Sequence, residues 1–96
     1  MNYINYHNHT QYSNVSTPDS TISNKDRAWR AKNLGQTTLG FIEHGWSGRV
    51  IEAIELGKEL ELKPLLGTEA YFVKDRLEKD ATNAHLIVLA KNEYGR

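Results

Sequence analysis

The sequence predicts an α/β fold in which three parallel strands are joined by two crossover helices and a last strand folds back as an antiparallel hairpin. Three observations carry this. Short β-branched and apolar runs alternate with segments of helical period, which is the layout of βαβ units. Gly35 and Pro64 stand where the two helical patterns stop. The four histidines all fall at the ends of predicted strands, and strand ends are where β/α architectures collect their chemistry.

Each element has a local reason. Tyr3 to His9 reads as a short strand. Thr10 to Ser23 is polar and turn-rich, with Asn14, Pro18 and Asp19, and reads as a loop. Ser23 with Asp26 three residues later resembles a capping box, and Ile22 precedes it. The following helix puts Ala28, Ala31 and Leu34 at helical spacing, and Gly35 supplies the residue free to take positive φ at its end. Trp29 is expected in the core against the sheet. Lys25, Arg27, Arg30 and Lys32 are expected on a solvated face.

Thr37 to Ile42 is the next strand and Glu43 to Gly48 a loop with two glycines. Arg49 to Leu62 is the second helix. Val50 with Ile54, and Ala53 with Leu56 and Leu60, give it one apolar face. Glu59 and Lys63 are spaced for an i,i+4 pair. Pro64 to Val73 is a strand, Lys74 to Asn83 a charged loop, and Ala84 to Ala90 the last strand.

Composition narrows the function. Lys plus Arg and Asp plus Glu each number 12, so the formal charge is zero. The whole chain therefore does not capture nucleic acid electrostatically, and phosphate binding needs a local site. There is no Cys, hence no disulfide, thiolate metal site or Cys nucleophile. Apolar runs fall far short of the roughly 20 residues of a membrane span. The N-terminus lacks the basic-then-apolar layout of a signal peptide. The expectation is a soluble, cytoplasmic protein.

His7 and His9 are two apart, so on a strand both imidazoles point to one face and could reach one ion. Imidazole and carboxylate suit zinc, manganese or iron. Taken singly, His-Asn-His is also an ordinary polar strand end, His44 an ordinary loop residue and Glu69 an ordinary ion-paired carboxylate. Together they lie where two successive βα units converge. His85 reaches that end only if its strand runs antiparallel to the preceding one. Setting Glu69 opposite His85 pairs Tyr71 with Asn83 and Val73 with Ala81, and centres the turn on Leu77. Trp46, after His44, could line a substrate pocket or cover a helix end. Tyr12 and Ser13 could bond a phosphate or order a ligand.

The segments HNHTQYS, EHG, KPLLGTEAYFV and HLIVLAKNEYG, in this order and spacing, resemble the PHP (polymerase and histidinol phosphatase) domain. They look most like the N-terminal PHP domain of bacterial-type or phage replicative DNA polymerase III alpha subunits. The resemblance covers nearly the whole chain. It implies a distorted, TIM-like β/α barrel with up to three metal ions, zinc or manganese, at the strand ends. His7 and His9 match the first motif and Asp19 the acidic residue after it. His44 matches the second motif, Glu69 the bridging carboxylate, and His85 the histidine opening the next strand. His7, His9, Glu69 and His85 are then direct ligands. Asp19 and His44 complete or bridge a second ion and are the candidate catalytic residues.

The resemblance further implies DNA replication, with metal-dependent phosphoester hydrolysis or 3′–5′ exonuclease proofreading in some members. In others the domain is a structural or partner-binding module, and stand-alone relatives are phosphoesterases. Expected partners are DNA through the rest of a polymerase, the remaining barrel segments, or a proofreading subunit. Two departures stand out. Glu43 occupies the position where Asp is usual. The family's later His and final Asp-x-His pair also have no counterpart, so residues 1–96 are expected to be an incomplete N-terminal portion. That portion is expected to be weakly active alone and able to associate through open sheet edges.

Overall fold

The computed structural model describes residues 3–14, 18–79 and 81–96. Residues 15–17 and 80 belong to the two predicted loops and lie outside the described residues. The first helix, α1 (Asn24–Asn33), starts as its capping box dictates. Ser23 Oγ accepts from the Asp26 N–H at 3.0 Å and also contacts Asp26 Oδ2 at 2.7 Å. Its end is equally local, with Gly35 at φ +73°.

Strand β1 (Thr38–His44) follows, then helix α2 (Val50–Leu60), strand β2 (Lys63–Phe72) and strand β3 (Ala84–Leu89). The three strands form one sheet in the order β1-β2-β3. β1 and β2 are parallel, with His44 opposite Glu69, and β2 and β3 are antiparallel. No helix among the described residues is long and apolar enough to cross a membrane.

Burial explains the layering. Leu39 and Phe41 on β1 pack with Ala28 and Ala31 of α1 and with Ala53, Leu56 and Leu60 of α2. Each such large side chain contributes roughly 1.5–3 kcal/mol. Alternate residues of a strand face opposite ways, so both helices cover one face of the sheet. Gly40, Ile42 and His44 fall on the other face, and Ile42 is fully buried there. The N-terminal segment covers it. A Cβ at Gly40 would lie 2.4 Å from the Tyr6 carbonyl oxygen, so only glycine admits this close crossing.

Several expectations need correction. Residues 3–9 form no strand, so the three-parallel-strand arrangement reduces to the β1–β2 pair. The segment does lie beside β1, where the Ile42 N–H donates to the Asn8 carbonyl at 3.1 Å. The Asn8 side chain, however, donates to the Asn5 and Gly40 carbonyls, taking acceptors that a ladder would use. β1 continues through Glu43 and His44, which were expected in a loop.

The hairpin register is displaced by two residues. Glu69 pairs with Ile87, Tyr71 pairs with His85, and the turn centre moves from Leu77 to Glu78. Trp29 is 44% exposed, not core, because Asn24, Ala28 and Ala31 form the buried face of α1. Lys63 opens β2, so it cannot form a helical pair with Glu59. Arg27 leaves the solvated face and donates to Asn8 Oδ1.

Candidate metal centre

Glu69 lies at the middle of the helix-free face of the sheet, 4% exposed. Its Oε2 is 2.8 Å from His7 Nε2, 2.9 Å from His9 Nε2 and 3.6 Å from His44 Nδ1. Its Oε1 contacts His85 Nδ1. The parallel register sets His44 beside Glu69, since the two are direct partners on β1 and β2. Gly45 makes the turn after His44 at φ +71° and lies against the Tyr71 ring. A two-residue slip on β3 preserves the face, so His85 still points to the site although Ile87 is the direct partner of Glu69.

Asp19 reaches in from the loop, with Oδ2 2.5 Å from His44 Nε2. The His9 and His44 rings stack at 4.2 Å, and the His7 and His9 Nε2 atoms are 2.8 Å apart. All six residues singled out in the sequence therefore meet. They form three overlapping groups, each with ligand atoms within 4.8 Å of one another: His7, His9 and Glu69; His9, Asp19 and His44; His44, Glu69 and His85.

The electrostatics follow from this crowding. Burial pushes the Glu69 carboxyl up, but the hydrogen bond from His7 and the charges of His44, His7 and His9 outweigh it and hold the group below the ordinary carboxylate range. Burial, helped by the neighbouring His44, lowers His9, against the opposing pull of Glu69. The donor set fits a divalent cation. Imidazole nitrogens and carboxylate oxygens converge on common points, and His44 Nδ1 is buried without a hydrogen-bond partner.

Behind the histidines lies a layer of which the sequence pointed to Ser13, as a residue that could order a ligand, but not to the buried role of Glu43. Glu43 is 2% exposed. It accepts from the Thr10 N–H at 3.1 and 3.2 Å, from Thr10 Oγ1 at 2.5 Å and from the Ser13 hydroxyl. Ser13 Oγ also lies 2.8 Å from His9 Nδ1 and accepts from the His44 N–H at 3.2 Å. Thus Ser13 orders a ligand candidate. A carboxylate inside the apolar run Thr38–His44 was the available signal, because a buried charge requires partners. Trp46 Nε1 donates to the Tyr12 carbonyl at 2.9 Å, its ring lies against the Gly48 backbone, and it stays half exposed. The Arg49 guanidinium stands 5.1 Å over the Tyr12 ring.

Comparison with known proteins gives the family. The family model described as PHP domain matches residues 5–96. DNA polymerase III subunit alpha of Borreliella burgdorferi is 30% identical over 99 residues, covering 97% of this chain. Those of Aquifex aeolicus and Campylobacter jejuni are 31% and 32% identical, also over 97% of it. The chain spans only 8–9% of the length of these relatives. No solved structure gives a significant match.

Proposed function

This chain belongs to the PHP domain family, and from that premise we propose that it is a portion of the PHP domain of a DNA polymerase III alpha subunit, holding part of a multinuclear metal site for phosphoester hydrolysis at a DNA 3′ end. The observation that carries the reading is the convergence of His7, His9, Asp19, His44, Glu69 and His85 into three overlapping ligand groups. Zinc or manganese suits these donors. When bound, such ions supply positive charge and Lewis acidity to a phosphoester.

The chain's own residues do the holding. Glu69 bridges the histidines, Asp19 directs His44 Nε2, and Ser13 sets His9. Arg49 lies over Tyr12 and is already paired with Glu52 at 2.8 Å, so a phosphate would share its cation with that carboxylate. The sheet carries both helices on one face and the site on the other, which supports its being an arc of a distorted β/α barrel.

A second reading, a non-catalytic module within the polymerase, is favoured by β3. Each of its six residues is exposed, and a groove between α2 and β3 presents Val50, Ile51, Leu66 and Val88. Such a surface suits cover by other polymerase segments or a proofreading subunit.

The test is incubation of the chain with a 3′-labelled single-stranded oligonucleotide and manganese or zinc, beside small phosphomonoesters. Metal-dependent release of nucleotides, even slow, that is lost in Glu69→Gln supports the first reading. Bound metal with neither activity favours the second. Phosphomonoester hydrolysis alone would assign the chain to small-molecule phosphoesterases.

A further inference from the structure

We propose that Glu43 acts through Ser13 as a positioning residue that fixes the His9 proton on Nδ1 and so leaves His9 Nε2 bare as the ligand atom. The inference rests on the reading of the site as a metal centre and adds what selects the ligating form of one histidine. It follows from hydrogen-bond counting. A serine hydroxyl has one hydrogen to give and two lone pairs to receive with. Three partners surround Ser13 Oγ: Glu43 Oε2, His9 Nδ1 at 2.8 Å and the His44 N–H at 3.2 Å.

The His44 N–H only donates, so it occupies one lone pair. The Glu43 carboxylate only accepts, so it takes the hydrogen. One lone pair remains for His9 Nδ1, which must therefore donate. Glu43 is held to its accepting role on its other side as well. The Thr10 N–H and hydroxyl both point at it, and Thr10 Oγ1 in turn receives the Tyr12 N–H at 3.4 Å. His9 Nε2 is then a bare nitrogen 2.9 Å from Glu69 Oε2 and 2.8 Å from His7 Nε2. His9 Nε2 and Glu69 Oε2 then face each other as two acceptors, with His7 Nε2 donating to the carboxylate, and a cation between the pair relieves that contact.

The experiment is a long-range proton–nitrogen correlation spectrum of the imidazoles in the metal-free, nitrogen-15-labelled chain, followed by zinc titration. The expected result is a His9 signal of the Nδ1–H tautomer, with Nε2 shifting on zinc addition. Glu43→Gln keeps the size but turns an amide donor toward Ser13. The hydroxyl hydrogen then points at His9, the His9 proton moves to Nε2, and zinc affinity falls by about 10–100-fold. Glu43→Asp keeps the accepting chemistry and should retain the tautomer. An Nε2–H form in the unmodified chain, or an unchanged tautomer in Glu43→Gln, overturns the proposal. If the backbone spectrum shows Glu43→Gln unfolded, Ser13→Ala decides, since an unchanged Nδ1–H population there overturns it equally. An Nδ1–H tautomer that responds to Glu43→Gln but not to zinc supports the relay and removes the metal reading alone.

Discussion

Glu69 and His85 meet diagonally across the β2–β3 pair: Glu69 is in register with Ile87 and His85 with Tyr71, yet Glu69 Oε1 contacts His85 Nδ1. The carboxylate spends its second oxygen on His7 and His9. Glu69→Gln should therefore weaken zinc or manganese binding more than any single histidine change. Calorimetric titration should show a loss larger than the ~10–100-fold typical of removing an outer partner. His7→Ala with His9→Ala should also bind measurably less, and a double variant that titrates like the unmodified chain would contradict the site.

Gly40 is where sheet and ligand segment touch. A methyl there would meet the Tyr6 and Asn5 carbonyl oxygens at 2.4 and 2.7 Å. Both are backbone, so neither yields cheaply. Gly40→Ala should push residues 3–10 off β1 and cost metal affinity while far-ultraviolet circular dichroism still reports both helices. Gly35→Ala is the contrast. It meets no atom within 4 Å but sits at φ +73°, so it should cost roughly 1–2 kcal/mol and leave metal binding unaltered.

Acid should destabilise the metal-free chain in two windows. His9 is held below 6.5 by burial and by His44. The unfolded chain takes up that proton more readily, so the contribution is full above 6.5 and is lost as pH falls below it. Glu69 is held below 4.5, so its contribution is present above 4.5 and is lost as pH falls through its folded value. Urea midpoints across a pH series should decline below 6.5 and again below 4.5. A midpoint that rises on acidification would contradict both assignments.

β3 should drive self-association. Leu86, Ile87, Val88 and Leu89 are each 40–49% exposed, and among the described residues β3 pairs only with β2. An unprotected apolar edge invites a further strand. Sedimentation should show mass rising with concentration, and Val88→Lys should reduce it.

What the sequence disclosed is what local chemistry encodes. The capping box at Ser23, the positive φ of Gly35 and the apolar face through Ala53, Leu56 and Leu60 are all short-range and all present. Five of the converging residues were legible because few structures need histidines and a carboxylate at successive strand ends, whereas Asp19, in a loop, was legible only through the resemblance to the PHP domain. The hairpin register was not, because a two-residue slip keeps every face and the charged tip carries no register signal. The first strand was misread because Asn8 competes for backbone acceptors, which composition does not reveal. Trp29 was misplaced because the buried face of α1 runs through Asn24, Ala28 and Ala31, which leaves the indole on the exposed side. Glu43 looked like a variant of its neighbour's motif, and its three donors, on Thr10 and Ser13, lie 30 to 33 residues upstream.

The three ligand groups share members in a closed pattern: His9, His44 and Glu69 each belong to two, while His7, Asp19 and His85 each belong to one. Energetic independence should follow the same division. Changes at His7, Asp19 and His85 fall in separate groups and meet only through shared inner residues, so their mutual coupling in metal affinity should be the smaller. Changes at any two of His9, His44 and Glu69 strike a common group, and a double-mutant cycle between them should show large coupling. Evolution or design can therefore retune the site one outer residue at a time, whereas the inner three can be altered only as a set.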